Sequence, residues 1–409
     1  MTSEKPLYYK IIPTIQSYPW GNSTENGYIK NFIKKKYKFL LGEKSFAELW
    51  MGAHKKSPSL VFYEESKEKD SLNSLISKNS EHFLGKDSLE NFNKKLPFLF
   101  KILDIEKPLS IQAHPDKSLA KILHKRNPEW YPDENHKPEL AICLKDFQAL
   151  IGFRTQKELI EIYKNTPIKN FIEISHSNHF VKEIYQKIML LQSEQIEALT
   201  ESFIDFLKIN TIEKFRDDWF FVLLNLNGKK DPGIFGIYLL NYLELQPDEG
   251  IFIKPHTIHA YLKGAVLECM ADSDNVVRGG LTTKPKDIEV LLTMLDYDIE
   301  NIPIYKPTLS TEGYYYYDIP VQDFKVLLLH HPKYEFLNKI VLKEFPQILL
   351  ILEGSLEMEF ISPIIKKAHL GEAGEIYFLP GDLKERGIKI QLKPSIDSLI
   401  YSATINKNT

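Results

Sequence analysis

The sequence predicts a mainly β protein with a helical insertion, built as two jelly-roll barrels in tandem. Both ends of the chain contain short apolar segments separated by glycine-containing turns, which is typical of jelly rolls. Residues 155–224 instead carry apolar residues at three- and four-residue steps, which indicates amphipathic helices. The segments EGIFIKP (249–255) and GEIYFLP (374–380) share a hydrophobic pattern. The pattern suggests two related barrels, with a chance likeness between strand–turn segments as the alternative.

The predicted elements follow the same division along the chain. Short strands are expected over 5–64, helices over 65–94 and two strands over 96–115, while strands return at 232–262 and from 319 onward. Prolines and a glycine in polar sequence place a boundary near 305–320. The predicted domains are a first barrel of residues 1–154 with 225–318, a helical insertion of 155–224, and a C-terminal barrel of 319–409 without a metal-binding pattern.

Composition excludes several classes of protein. The chain has 409 residues, a net charge of −3 and 43% hydrophobic residues. We therefore expect no nucleic-acid partner, which would call for a basic surface. No apolar run reaches the roughly 18 residues of a membrane helix, and the first residues lack the apolar core of a signal peptide. With only two cysteines, no disulfide framework is implied, and we expect a cytoplasmic protein.

One predicted strand carries an unusual polar face. In LSIQAHPDKSLA (109–120), Ser110, Gln112 and His114 point the same way because side chains alternate along a strand. Two further segments, YPDENHKPE (131–139) and PHTIHAYL (255–262), supply other ligand types. Together they predict a divalent-cation site made by Gln112, His114, Glu139 and one histidine of 255–262. Imidazole and carboxylate donors suit zinc, with iron and manganese as alternatives.

The choice between the two histidines of PHTIHAYL follows from strand geometry. His256 and His259 are three residues apart and face opposite ways in an extended chain. His259 shares a face with Tyr261, whereas His256 directly follows a proline in the turn. We therefore expect His259 to be the ligand.

Arg278 is a candidate for binding oxygen pairs. Only five of the 52 basic residues are arginines, and Arg278 lies in LECMADSDNVVRGGLTTK (267–284) beside Gly279 and Gly280. Its planar fork can hold two oxygens at once, and the glycines would let the backbone approach a ligand. A solvated polar loop is the alternative. Lys101, Ser110 and Lys284 form a candidate phosphate cradle, although Lys101 could also be an edge-strand lysine.

These segments together resemble the type I phosphomannose isomerases, a zinc-dependent family of the cupin superfamily. The matching stretches occur in family order across about residues 46–284 and are FAELWMGAH, LPFLFKIL, LSIQAHPDKSLA, YPDENHKPE and HTIHAYLKGAVLECMADSDNVVRGGLTTK. The resemblance implies tandem cupin barrels, of which the first is catalytic. It also implies one zinc ion per chain and the interconversion of mannose 6-phosphate and fructose 6-phosphate through a cis-enediolate. The expected partner is this small sugar phosphate, with no membrane and a monomeric chain.

The resemblance also implies roles for individual residues. The implied zinc ligands are Gln112, His114, Glu139 and His259. Arg278 is the implied catalytic residue, and the candidate bases are Lys137, His136, Glu268 and Asp274. The expected substrate-binding residues are Lys101, Ser110, Tyr261, Lys284, Trp20 and His54.

Two other functions fit parts of the pattern. An iron-dependent cupin oxygenase would use two histidines and a carboxylate, but four protein ligands leave few positions for oxygen. A sugar-binding or storage protein with a structural metal would leave Arg278 unexplained. Metal analysis with an assay for fructose 6-phosphate separates the three.

Overall fold

The computed structural model describes residues 5–42, 45–63, 69–175, 179–298, 302–334 and 340–406. Within these ranges, strands form sheets of ten, nine and four strands, and most helices lie in the middle of the chain. The strands are β1 Tyr9–Ile12, β2 Thr14–Gln16, β3 Glu48–Met51, β4 Leu60–Phe62, β5 Lys69–Ser71, β6 Phe98–Ile105, β7 Ile111–Ala113, β8 Glu139–Phe153, β9 Leu240–Leu245, β10 Gly250–Ile253, β11 His259–Ala271, β12 Val277–Gly280, β13 Ile304–Tyr305, β14 Thr308–Leu309, β15 Tyr315–Tyr316, β16 Lys325–His330, β17 Ile340–Leu342, β18 Gln347–Glu353, β19 Ser355–Ile361, β20 Lys366–Glu372, β21 Ile376–Leu379, β22 Lys389–Pro394 and β23 Leu399–Thr404. The α-helices are α1 Tyr28–Lys36, α2 Leu72–Lys78, α3 Ser80–Leu84, α4 Lys86–Asn91, α5 Lys117–Arg126, α6 Gln156–Asn165, α7 Phe180–Met189, α8 Ser193–Leu207, α9 Lys214–Asn227, α10 Gly236–Leu239 and α11 Ile288–Met294, and 3₁₀ turns occupy Lys38–Leu40, Pro167–Asn170, Pro232–Phe235 and Gly381–Leu383.

The predicted fold class, mainly β with a helical insertion, is confirmed. The ten-stranded sheet has the order β13-β10-β8-β11-β6-β3-β2, and β7 pairs with both β11 and β12 at its side. Its apolar face packs against the nine-stranded sheet in one core, to which Phe100 and Leu267 contribute from one sheet and Ile348 and Phe378 from the other. The opposite face of the ten-stranded sheet carries the polar side chains described below.

The helical insertion packs against the apolar side of β7, the strand that carries Gln112. Helix α6 begins at a capping box in which Thr155 and Glu158 satisfy each other's backbone N–H groups. Phe203 and Phe220 of the helices share a buried core with Ile111 and Phe153 of the sheet. Packing of these apolar helix faces therefore fixes β7 and the end of β8. None of the helices in the described ranges is long and apolar enough to cross a membrane.

Three segments differ from the predicted secondary structure, and one of them is β5, Lys69–Ser71, which lies where helices were expected. Residues 232–239, expected as strand, form a 3₁₀ turn followed by α10. Pro232 begins this turn and the side chain of Asp231 accepts a hydrogen bond from the N–H of Gly233, which favours a helical start. Helix α1 lies in a region where only strands and turns were expected, because Ile29, Phe32 and Ile33 give it a buried face.

The N-terminal strands join the C-terminal part of the chain. Strand β1 pairs with β21 through Tyr9 and Phe378, and with β4 through Ile11 and Val61. The nine-stranded sheet thus crosses the sequence boundary placed near 305–320. The division into residues 1–154 with 225–318, 155–224 and 319–409 stays a prediction.

Candidate active site and metal centre

Three buried side chains converge at the start of the long central strands. His114 directly follows β7, while Glu139 and His259 are the first residues of β8 and β11. One ligand atom from each lies within 4.8 Å of the others. Oε2 of Glu139 is 3.5 Å from Nε2 of both histidines. The amide end of Gln112 lies 3.3 Å from Nε2 of His259. The structure therefore brings together all four predicted ligands.

Antiparallel pairing explains why residues so distant in sequence meet. His259 is the cross-strand partner of Gln112, and Gln112 is in turn the partner of Arg278 on β12. Directly opposed residues on one face lie roughly 5 Å apart, close enough for their side chains to interact. His256 lies outside this group: its N–H donates to the carbonyl of His114, and its Nε2 accepts from the N–H of Asp116.

Backbone carbonyls orient both imidazoles toward the same point. Nδ1 of His114 is 2.7 Å from the carbonyl of Asn275, and Nδ1 of His259 is 2.9 Å from that of Thr257. With the proton on Nδ1, each Nε2 keeps its lone pair for a metal. Nε2 of His114 is buried and has no hydrogen-bond partner among the described residues. A buried polar atom without a partner is costly, and a bound cation removes that cost.

The charges of the group also suit a cation. Burial, with the nearby charge of Lys137, lowers the pKa of His114 to about 4, so this imidazole is neutral near pH 7. Burial alone would raise the pKa of Glu139. The charge of Lys137, whose Nζ is 3.0 Å from Oε1, and the contacts with the histidines hold that pKa well below its usual range. A neutral imidazole such as that of His114, beside an ionised carboxylate, is a form of ligand that zinc binds. The residues present therefore fit the metal.

A cavity of about 380 Å³ opens beside this group. Its wall is mainly polar and contains most of the predicted site residues. Those that line it are Trp20, Lys101, Ser110, Gln112, Lys137, Glu139, Tyr261, Glu268, Asp274, Arg278 and Lys284.

Lys101 belongs to a network within the cavity wall. Its ammonium lies 2.9 Å from Glu268 and 3.5 Å from Glu48, and the hydroxyl of Tyr261 donates to the other oxygen of Glu268. Burial would lower the pKa of Lys101, but the two carboxylates outweigh it and raise that pKa. Burial raises the pKa of Glu268 itself. Lys101 is therefore a charged lysine with two carboxylate partners in the cavity wall, and its role in substrate binding stays a prediction.

Arg278 and Lys284 are cations of a different kind. Both line the cavity, and neither side chain has an ion-pair partner among the residues described. Burial lowers the pKa of both groups. Arg278 is half-buried and Lys284 is exposed, and these cations without an ion pair among the described residues make this side of the cavity attractive to an anion.

Comparison with known proteins identifies the family. The domain family described as "Phosphomannose isomerase type I, catalytic domain" matches residues 8–156. The mannose-6-phosphate isomerase of Macaca fascicularis is 35% identical over 97% of this chain and 98% of its own length. The chain belongs to the type I phosphomannose isomerase family. The enzyme of the same name from Saccharomyces cerevisiae is 34% identical over 90% of this chain and 94% of its own.

Solved phosphomannose isomerases share the whole fold. One structure, described as mannose 6-phosphate isomerase from Salmonella typhimurium bound to substrate (f6p) and zinc, covers 98% of this chain and 100% of its own. Its TM-score is 0.81 at 27% identity. These likenesses confirm the predicted family, its cupin-type fold and the isomerase activity.

Besides the predicted ligands His114 and His259, two predicted site residues, His136 and His54, are not among the residues that line the cavity. Nε2 of His136 is 3.0 Å from Asp323 of the C-terminal region, so this imidazole turns away from the cavity. His54 packs edge-on against Trp50, with Nε2 3.4 Å from Asp274. Both imidazoles therefore have protein partners, and the roles of His136 as a candidate base and of His54 in substrate binding stay predictions.

Asp274 and the paired glycines also depart from expectation. Asp274 lies 2.8 Å from Lys56, and although burial would raise its pKa, the contacts with His54 and Lys56 lower it. The glycines pack against protein instead of a ligand: a Cβ on Gly280 would lie 2.6 Å from Cα of Gly233.

Among the lining residues that sequence reasoning missed are Tyr18, Glu48, Trp50 and Lys56. The alternation in FAELWMGAH could have indicated Glu48 and Trp50, because both lie on the face of β3 that meets Lys101.

Proposed function

We propose that this chain interconverts mannose 6-phosphate and fructose 6-phosphate in the cavity beside the His114–Glu139–His259 group, with one zinc ion per chain. The observation that carries the proposal is the convergence of three ligand atoms within 4.8 Å at the edge of a cavity that also contains Arg278 and Lys284, two cations with no ion pair in the part of the chain that the structure describes. The named activity of the relatives supports the same substrates. Gln112, His114, Glu139 and His259 would hold the metal, which when bound supplies a Lewis acid that stabilises negative charge developing on a sugar oxygen.

The substrate phosphate is assigned to the side of the cavity with free positive charge. Lys284 and Ser110 line it, and Lys284 has no carboxylate partner among the described residues. A lysine ammonium and a hydroxyl both donate hydrogen bonds to phosphate oxygens. Binding the phosphate here, away from the reacting carbons, orients the sugar chain.

Arg278 is assigned to the charge that develops during the reaction. Moving a proton between C2 and C1 of the open-chain sugar places negative charge on the neighbouring oxygens. Arg278 is the strand partner of Gln112, so its guanidinium belongs to the metal end of the cavity. Its planar fork can donate to both oxygens at once.

Proton transfer is assigned to Lys137 and Glu268. Both line the cavity, and Lys137 contacts the ligand Glu139 directly. Asp274 is a poorer base because its contacts with His54 and Lys56 lower its pKa. Burial raises the pKa of Glu268 toward the working range of a general base, and its partners Lys101 and Tyr261 provide donors on either oxygen.

The remaining assignments concern partners and location. We assign a monomeric, cytoplasmic enzyme without nucleic-acid or membrane partners. The net charge of −3 supports the assignment without a nucleic-acid partner, and the scarcity of cysteine supports the cytoplasmic one.

Metal analysis with an activity assay tests the proposed function. We expect about one zinc per purified chain, activity in a coupled assay for fructose 6-phosphate, loss of activity with a chelator, and recovery when zinc is added. His114→Ala should remove both zinc and activity. His256→Ala is the matched control and should retain zinc. The backbone of His256 hydrogen-bonds to the carbonyl of His114, but His256 does not belong to the ligand group. Zinc-loaded protein without isomerase activity, or loss of zinc from the control alone, would overturn the proposal.

A further inference from the structure

The direction of the His114 imidazole depends on a loop outside the ligand group. Its Nδ1 donates to the carbonyl of Asn275, which lies between β11 and β12. Rotation of that carbonyl would release the ring and turn the buried Nε2 away from Glu139. Whatever fixes the backbone at Asn275 therefore also fixes the metal-binding lone pair.

The carboxylate of Asp133 accepts three hydrogen bonds from this loop, and the backbone carbonyl of Asp133 accepts a further one from the side-chain amide of Asn275 at 2.7 Å. Its Oδ2 accepts the N–H of Asp274 at 2.7 Å. Its Oδ1 accepts from the hydroxyl of Ser273 at 2.8 Å and from the side-chain amide of Asn275 at 3.0 Å. Asn275 is completely buried, so its amide has no water to replace these bonds.

The same carboxylate also shapes the segment that leads to Glu139. Oδ1 of Asp133 accepts the N–H of Asn135, and the carbonyl of Asn135 accepts from the Asn275 amide at 2.9 Å. Asp133 therefore links the loop that orients His114 to the segment that delivers Lys137 and Glu139. His259 is independent of this arrangement, since the carbonyl of Thr257 orients it from the adjacent turn.

We propose that Asp133 is a positioning residue that sets the zinc affinity of the site by fixing residues 272–275 against residues 133–139. It would not touch the metal or the sugar. Partners that orient a metal ligand in this way typically change metal affinity by about 10- to 100-fold when removed. The inference rests on the proposed zinc site.

Zinc titration of an isosteric variant tests this role. Asp133→Asn keeps the shape of the side chain but places an amide N–H against donors that now meet a carboxylate oxygen. We expect zinc affinity, measured by competition with a chelating indicator, to fall about 10- to 100-fold. Isomerase activity should be low at limiting zinc and should return with excess zinc. Ser273→Ala, which removes one donor to Asp133, should lower zinc affinity less but in the same direction, and it serves if Asp133→Asn does not fold.

The matched control is Asp323→Asn. Asp323 is another buried carboxylate that contacts residues 133–139, through His136, but it makes no hydrogen bond to residues 272–275. This control should bind zinc within about threefold of the parent. Unchanged zinc affinity in Asp133→Asn and Ser273→Ala, or an equal loss in Asp323→Asn, would overturn the inference. Wild-type protein that binds no zinc would instead refute the proposed function, so the two failures are distinguishable.

Discussion

At the scale of single residues, the cavity contains cations in two different electrostatic states. The positive charge of Lys101 is balanced by its ion pairs with Glu268 and Glu48 in the cavity wall, whereas Arg278 has no counter-charge among the residues described. A half-buried guanidinium without a partner pays part of its desolvation cost for no gain in the free protein. Such a group is typical of a site that completes its interactions only with a ligand.

The geometry of Arg278 can be separated from its charge by Arg278→Lys. If the planar fork holds two oxygens as charge develops, lysine cannot replace it, and turnover should fall by roughly 100-fold or more with little change in zinc content. Steady-state kinetics and elemental analysis measure both quantities. Lys284→Arg is the control, because the phosphate binding proposed for Lys284 needs charge more than shape, and it should change kcat by only a few-fold. A nearly normal Arg278→Lys enzyme would reduce Arg278 to a charge lining the cavity.

At the scale of elements, hydrogen bonds from the turn between β9 and β10 connect the ten-stranded sheet, which carries the predicted metal ligands, to the C-terminal part of the chain. Asp248 in this turn accepts from Nδ1 of His330, Nζ of Lys333 and the hydroxyl of Tyr401 at 2.7–2.8 Å. Burial would raise its pKa, but these three donors lower the pKa of Asp248 to about 2. The folded protein therefore stabilises the ionised form of Asp248 more than the unfolded chain does.

This contact predicts a pH-dependent difference in stability. Because the folded pKa is about 2 and the unfolded pKa about 3.9, the stabilisation is complete above pH 5 and is lost as the pH falls toward 2. Asp248→Asn should therefore lower the free energy of unfolding by at least about 2 kcal/mol near pH 7. Below pH 4, the difference in unfolding free energy between the zinc-free wild type and the zinc-free variant should decrease. Asparagine tolerates the φ of +72° at this position, so backbone strain does not explain the change. Urea unfolding of both proteins across this range provides the test, and a gap that does not vary with pH would contradict the assignment.

At the scale of the whole molecule, the two ends of the chain form one sheet. Strands β1, β4 and β5 extend the sheet that contains β16, β18, β21 and β23, and its apolar face covers that of the catalytic sheet. The C-terminal region therefore contributes about a third of the buried residues of this core, as well as β21, the hydrogen-bonding partner of β1.

Removal of residues 320–409 should consequently prevent folding. The remaining chain would expose Phe100 and Leu267 and leave one edge of β1 unpaired, a combination that favours aggregation. Expression, size-exclusion chromatography and zinc content report the outcome. Co-expression of the missing segment as a separate chain should recover soluble protein. A soluble, zinc-binding and active fragment of residues 1–319 would show that the core between the sheets is dispensable.

The sequence by itself determined the fold class, the family and the helical block. Periodicity is a property of consecutive residues, and the ligand-bearing motifs are short enough to recognise locally. The alternation in LSIQAH was sufficient to place Gln112 and His114 on one face. The spacing in PHTIHAYL was likewise sufficient to favour His259 over His256, and the structure places the former with Glu139.

Only the tertiary structure decided which of these side chains are free to act. Lys101 and Glu268 are 167 positions apart, and their ion pair exists because the register of β6 and β11 sets them opposite each other. The hydrogen bond between His136 and Asp323, which are 187 positions apart, likewise depends on the tertiary structure. Neither contact has a local signature, because pairing across a sheet depends on strand order and register rather than on neighbouring residues. The pairing of β1 with β21 likewise depends on the tertiary structure, and so does the proposed positioning of His114 by Asp133 through Asn275.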